Sequence, residues 1–284
     1  MMLLWDGSPH PWFGPSTDPC CLMLAVDDAD GQALNAFFEP SETTLGYLKL
    51  LRGIIPVHGI PASIYMDRHS ALFRTDDHWS LEEQLQGRQN PTQVGMALDD
   101  LGIEAIMAFS PQAKGRVERA FGTFQDRLMA ELDLLEIRTI EEANRFLPSF
   151  LRDYNQRFRK TPAQSGSAFR PLSKNLDLED ILSIRYPATV GNDNSIRLGG
   201  IVLDLPPGPK NRSWAKCRVE ARQTLDGSWR VFYQDALIAS FPPTPLREPA
   251  RVRRANARTK GAPIENWQYP APSTSSEGTF SRCT

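Results

Sequence analysis

Apolar positions recur with two different periods along this chain. Residues 1–5 and 21–26 are short, nearly continuous apolar runs, and residues 33–38 resume the same pattern. Between the last two lies Asp27-Asp28-Ala29-Asp30-Gly31, a turn, because Asp and Gly tolerate the backbone angles that a tight reversal needs. Three strands in an antiparallel meander are therefore predicted. The stretch 7–19 between the first two is rich in turn formers. From residue 41 the period changes. Ser41, Thr43 and Thr44 offer capping hydroxyls, and Leu45, Leu48, Leu51 and Ile55 fall on one helical face until Gly59 and Pro61 end it. Residues 62–66 read as a buried strand that stops at Asp67. Residues 68–90 are polar and irregular, and predict a long loop. Pro91 opens a helix through Val94, Met96, Leu98 and Leu101, closed by Gly102, and residues 103–108 form the next strand. A long helix is expected over 114–136, with Val117, Phe121, Phe124, Leu128, Leu132 and Leu135 at spacings of three and four. Another follows over 140–158, carrying Phe146, Phe150, Leu151 and Tyr154, and Thr161-Pro162 stops it.

The order β-β-β-α-β-α-β-α predicts an α/β fold: a mixed five-stranded sheet with flanking helices. Beyond residue 184 the texture becomes short strands and turns, with a hairpin signal at Leu225-Asp226-Gly227-Ser228. These predict a small all-β barrel. The expected organisation is a core over 1–160, a linker over 161–183, the barrel over 184–242 and a disordered tail over 243–284. The tail is locally basic through Arg247, Arg251, Arg253, Arg254, Arg258 and Lys260.

Composition narrows the class. With 40% hydrophobic and 23% charged residues, the chain is neither collagen-like, nor a coiled coil, nor wholly disordered. No run approaches the ~20 apolar residues of a membrane span, and the first residues lack the pattern of a signal peptide. Four cysteines make no C-x-x-C pair, which predicts reduced thiols in a cytoplasmic protein. The net charge of −2 means that affinity for a polyanion must come from local patches.

Three carboxylates sit at comparable places: Asp6 after the first apolar run, Asp67 after the fourth strand, and Glu118 in the first turn of the long helix. If the first and fourth strands are neighbours, Asp6 and Asp67 come side by side, and a helix crossing that edge brings Glu118 to them. Three ionised carboxylates so close repel one another unless a cation intervenes. Mg²⁺ (or Mn²⁺) suits such a hard oxygen set. Two such ions would clamp the attacking and leaving oxygens of an in-line displacement at phosphorus. Each carboxylate also has a plain structural reading, as a turn residue, a strand-end cap or one more helix charge. Asp27 and Asp28 compete for the first position, but their context is a hairpin turn.

Wider context favours the catalytic reading. The segments Trp5-Asp6-Gly7-Ser8-Pro9-His10, Tyr65-Met66-Asp67-Arg68-His69-Ser70 and the run from Ser110-Pro111 through Lys114-Gly115-Arg116-Val117-Glu118-Arg119 together resemble the DDE transposase and retroviral-type integrase superfamily. The wording is most like bacterial insertion-sequence transposases of the ISNCY type. The resemblance covers residues 1 to about 160, and the stretch around Asn192–Arg197 also looks like the C-terminal part of such enzymes. It implies a ribonuclease-H-like core. It also implies catalysis and metal binding by Asp6, Asp67 and Glu118, with Mg²⁺ or Mn²⁺ as cofactor. The implied reaction is cleavage at a transposon end, then attack of the freed 3′-hydroxyl on target DNA. DNA and a second copy of the chain are the expected partners, with no membrane. Such transposases carry an N-terminal helix-turn-helix region, so an N-terminally truncated chain is expected, and a copy that only binds DNA or joins full-length enzyme is the alternative. The interval between Asp67 and Glu118 is longer than in much of the superfamily, and residues 68–90 account for the excess.

Basic residues near the proposed site, Lys114, Arg116 and Arg119, are the DNA-binding candidates, followed by Arg152, Arg157, Arg159 and Lys160. His69 could touch a phosphate or orient Asp67. Trp12 and Phe13 could stack on an unpaired base or pack in the core. His10, His58 and His78 show no metal-ligand spacing.

Overall fold

The computed structural model describes residues 2–66, 72, 79, 81–87, 89–107, 115–164 and 166–246. Strands β1 (Met2–His10), β2 (Cys20–Asp27) and β3 (Ala33–Glu39) form the antiparallel meander. Helix α1 (Thr44–His58) leads to β4 (Ser63–Met66), which pairs in parallel with β1. A short helix, α2 (Leu81–Gln86), precedes α3 (Gln93–Leu101) and β5 (Glu104–Met107), which is parallel to β4. The sheet order is β3-β2-β1-β4-β5, the ribonuclease-H-like arrangement. Two long helices follow, α4 (Gly115–Leu134) and α5 (Ile140–Phe158).

Local chemistry sets the ends of these elements. Thr43 caps α1 by accepting the Gly46 N–H at 3.0 Å. Thr139 and Glu142 form a capping box at α5: Glu142 N–H donates to Thr139 Oγ1, and the Glu142 carboxylate accepts from that hydroxyl and from the Arg138 N–H. β2 is flanked by β3 and β1 and covered on both faces, which explains its burial along the whole strand.

Both sheet faces are covered. One face joins Leu4, Leu22, Leu24 and Phe38 to Phe121, Phe124, Leu128 and Leu132 of α4, and to Leu147, Phe150 and Tyr154 of α5. On the opposite face Trp5 meets Tyr47 of α1, with ring centroids 5.0 Å apart. The β3 edge is sealed by α5. Asn155 accepts the Ala33 N–H at 2.8 Å and donates to its carbonyl at 2.9 Å, and Asn144 does the same for Phe38 at 2.6 and 3.0 Å. Each carboxamide thus replaces a missing ladder partner at Ala33 and Phe38.

Several expectations are corrected. β1 continues through Pro9 to His10 instead of ending at residue 5. It has a β2 partner for that length, and tertiary pairing overrides local turn propensity. Trp12 and Phe13 are buried, with Trp12 edge-on to Phe38 at 5.7 Å, so they are core residues and not base-stacking groups. Within the stretch 68–90, expected as loop, α2 is helical. The 161–183 stretch is more than a connector: Arg170 pairs with Ile60 and donates to the carbonyls of Leu101 and Gly102, and α6 (Leu178–Ile181) follows.

The chain divides into two compact units. The first holds β1–β5, α1 and α3–α6. The second holds α2 and the strands beyond residue 183, and its β-region is all-β as expected. β6 (Ile184–Thr189), β9 (Arg218–Gln223), β10 (Trp229–Tyr233) and β11 (Ala236–Phe241) form an antiparallel sheet in the order β11-β10-β9-β6, and β7 (Ser195–Leu198) pairs with β8 (Ile201–Asp204). One core serves both sheets, built on Trp214, Trp229, Val219, Val231, Ile196 and Leu203. The chain beyond β11 is fastened at Thr244, whose hydroxyl accepts from Trp229 Nε1 at 2.8 Å and whose N–H donates to Gly227 O at 2.9 Å. Gly227 has φ +89°, and a Cβ there would stand 2.4 Å from the Thr244 carbonyl. Residues 247–284 of the expected basic tail lie outside the described residues.

Cys20, Cys21 and Cys217 are buried thiols without disulfides. Burial pushes the Cys20 thiol from 9.0 up to about 11, and burial aided by the negative charges of Glu42 and Asp6 pushes Cys21 up to about 12. The folded state therefore holds these protons more tightly than the unfolded chain. Stability from these two groups is intact below pH about 9 and falls as pH rises toward 11–12. Each thiol removes on the order of 2 kcal/mol by pH 11. Urea melts at pH 8, 9.5 and 11 check this, and Cys21→Ala and Cys20→Ala should flatten the alkaline fall.

Candidate active site

Asp6 lies in β1, opposite Leu24 of β2. Side chains alternate along a strand, so Asp6 shares the face of Leu4, while Trp5 and Gly7 face α1. Leu4 belongs to the core built with α4. Asp6 is half-buried, and its Oδ1 accepts the Gly7 N–H at 3.1 Å. Gly7 has a steric reason to be glycine: a Cβ would stand 2.8 Å from the Glu42 carboxylate, which accepts a hydrogen bond from the Tyr47 hydroxyl. Glu42 therefore lies against β1 one residue from Asp6. Nothing in the periodicity of the sequence signalled that approach.

Glu118 is in the first turn of α4 and is exposed. One turn later Phe121 enters the core that contains Leu4, and α4 packs against β1. The fold thus brings the element carrying Glu118 to the sheet face on which Asp6 sits. Helical side chains lean toward the N-terminus, which sets Glu118 on the first turn of α4, ahead of the buried stripe. Asp67 and Lys114 lie outside the described residues, as do the side chain of Arg116 and both His69 and His78. β4 ends at Met66, the residue before Asp67.

Arg119 is exposed next to Glu118. Two of the more distant basic candidates are engaged in ion pairs. Arg157 meets Asp153 at 2.9 Å, and Arg159 meets the buried Asp30 at 2.6 Å. Asp27 is a turn residue, its Oδ1 accepting the Ala29 N–H at 2.8 Å. His58 ends α1 against Phe169, and burial lowers its pKa below the usual imidazole range. His10 stacks edge-on to Trp12. Among the described residues no group of three or more His, Cys, Asp or Glu converges. The trio expected from the sequence includes Asp67, which lies outside them. The donors Asp6 and Glu118 are carboxylate oxygens, the hard ligand type that suits Mg²⁺ or Mn²⁺.

The chain is 42% identical over 187 residues to a Sinorhizobium fredii protein named "Putative transposase y4bF", and the match covers 66% of this chain and 40% of that relative. It is 40% identical over 158 residues to the transposase for insertion sequence IS1202 of Streptococcus pneumoniae, covering 55% of this chain and 32% of the relative. The chain is similar in sequence to these transposases, and it spans less than half the length of the two relatives. No family model matches it. Two solved structures are similar: the catalytic core domain of BIV integrase (19% identity, TM-score 0.38, 60% of this chain and 89% of that one) and a chain of the simian T-cell lymphotropic virus intasome (17% identity, TM-score 0.41, 89% and 79%). Among the described residues, no helix is long and apolar enough to cross a membrane.

Proposed function

We propose that the chain is the catalytic core and C-terminal β-region of a DNA transposase. In this reading residues 1–160 hold Mg²⁺ or Mn²⁺ through Asp6, Asp67 and Glu118. The observation that supports the reading is the packing of α4, which carries Glu118, on β1, which carries Asp6, with Phe121 and Leu4 in one core. A bound divalent ion supplies Lewis acidity at the phosphorus and stabilises the leaving 3′-oxygen.

The chain's own residues do the rest. The carboxylates fix the ligand geometry from three separate elements. The hydrogen bond from Gly7 N–H to Asp6 Oδ1 fixes the Asp6 carboxylate against its own strand. Lys114, Arg116 and Arg119 at the entry to α4 bind phosphates of the DNA backbone and align the scissile bond. Cleavage and strand transfer are both in-line displacements at phosphorus, so one site serves both. Two DNA ends must be held together, which calls for an oligomer. Such a protein works in the cytoplasm, on the nucleoid.

The deciding experiment incubates the chain with a labelled duplex bearing the ends of its element. Nicking and strand transfer should occur with Mg²⁺ or Mn²⁺ and stop on chelation. The second reading is a copy that binds DNA without chemistry. It predicts metal-independent binding and no nicking in any divalent ion.

A further inference from the structure

The strand that carries Asp6 is supported unevenly. Its parallel ladder with β4 is registered over Met2–Leu4, while its antiparallel ladder with β2 runs on through Asp6 to His10. Two residues past the β4 ladder, Asp6 is paired among the described residues with Leu24 of β2. On the α1 side of the sheet another group closes on β1 at the next residue. Glu42, just before the Thr43 cap of α1, lays its side chain over Gly7. A Cβ built on Gly7 would stand 2.8 Å from Glu42 Cγ, Cδ and Oε2. The other oxygen, Oε1, accepts a hydrogen bond from the Tyr47 hydroxyl. Tyr47 is fully buried in the first turn of α1, and its ring centroid lies 5.0 Å from that of Trp5.

These contacts form a continuous chain from the interior to a carboxylate of the candidate site. The Tyr47 hydroxyl fixes the Glu42 carboxylate, the Glu42 side chain seats against Gly7, and the Gly7 N–H donates to Asp6 Oδ1 at 3.1 Å. Bond lengths along this path keep the Asp6 and Glu42 carboxylates within about 9 Å of each other. Each link needs its residue type. A phenylalanine at position 47 has no donor for the carboxylate, and any side chain at position 7 would meet Glu42. Glycine inside a strand weakens it, and it marks places where another group must approach closely. β1 therefore gives up local stability at the residue directly after Asp6, and what it gains there is the approach of Glu42. A stabilising acceptor for Tyr47 alone would not need to press on that strand.

We infer that Glu42 is a positioning residue for Asp6: held by Tyr47 and seated on Gly7, it fixes the peptide N–H that orients the Asp6 carboxylate for a divalent ion. It acts through Asp6 and needs no contact with the ion. Groups behind a metal ligand set its orientation, and losing them weakens metal binding by about 10–100-fold. The inference rests on the proposed function for the presence of the ion.

The test is a Mn²⁺ titration of the full chain without DNA, read from the electron paramagnetic resonance signal of the free ion, with a thermal melt of each variant. Glu42→Ala alone takes its acceptor from the buried Tyr47 hydroxyl and should lower the melting temperature. Glu42→Ala with Tyr47→Phe removes both partners, so the melting temperature should return close to wild type. Mn²⁺ binding by this double variant should stay weaker by about 10-fold or more. Gly7→Ala keeps the Glu42 charge and the Tyr47 hydroxyl but displaces the Glu42 side chain, and should weaken binding to a similar degree. A merely structural Glu42 predicts that stability and Mn²⁺ binding recover together in the double variant. Wild-type Mn²⁺ affinity in the double variant or in Gly7→Ala therefore overturns the inference. Asp6→Asn separates that failure from failure of the metal assignment. Loss of Mn²⁺ binding by Asp6→Asn, with none in the Glu42 and Gly7 variants, would sink the inference and keep the metal site. Wild-type binding by Asp6→Asn would sink the assignment of Asp6 as a ligand, and the inference with it.

Discussion

Under the proposed function, Glu118→Gln is expected to lower metal-dependent nicking by about 10³-fold without losing the fold. Each 1.36 kcal/mol of barrier is tenfold in rate, and a metal ligand carries several kcal/mol of transition-state stabilisation. The amide has the size of the acid but not its charge, so it cannot balance a divalent ion. Glu118 is exposed in the first turn of α4, where a polar substitution shifts stability by no more than about 0.5 kcal/mol. Asp6→Asn should behave alike, since its carbonyl oxygen can still accept the Gly7 N–H. Asp67→Asn completes the series. The three single variants and the triple should be about equally inactive, because residues acting as one unit are not additive. Single-turnover nicking with parallel thermal melts makes the measurement. A variant that nicks at the wild-type rate would remove that residue from the site.

Phe124→Ala costs about 3–5 kcal/mol. Phe124 is fully buried at the centre of α4, with its ring 5.1 Å from Phe150 and 4.8 Å from Tyr154, both edge-on. Truncation removes the transfer energy of the ring and leaves a cavity between two helices and the sheet. Those neighbours are held from behind, because α5 is fastened to β3 through Asn144 and Asn155. The site therefore cannot collapse cheaply. Small domains are stable by only about 5–15 kcal/mol in all, so this one change removes a large share of the first unit's stability. Equilibrium urea denaturation checks it, with Phe124→Leu expected to recover more than half of the loss. The same variant should weaken nicking at permissive temperature, since α4 carries Glu118.

Much of the fold was legible from periodicity. α5 runs from Ile140 to Phe158 as its apolar spacing predicts, and the strands of the mixed sheet occur in the predicted order. The carboxylates Asp6 and Glu118 were legible too, as acids placed at a strand and at a helix start. Features governed by distant partners were not. Pro9 and His10 look like turn residues until β2 supplies their pairing. β6 contains Pro187, which weakens its strand signal, yet β9 pairs with it. Glu42 reaches β1 only because Gly7 has no side chain, and no local pattern announces that contact.

By itself the sequence determined which residues repeat at helical or strand spacing, where the turns fall, and which acids and cations are present. Those are properties of neighbours within a few residues, where sterics and burial periodicity act. Tertiary structure alone decided which face of β1 meets α4, that Trp12 and Phe13 are core, and that Glu42 rests against Gly7. Each of these depends on groups far away in the chain, brought close only when the apolar surfaces are buried together.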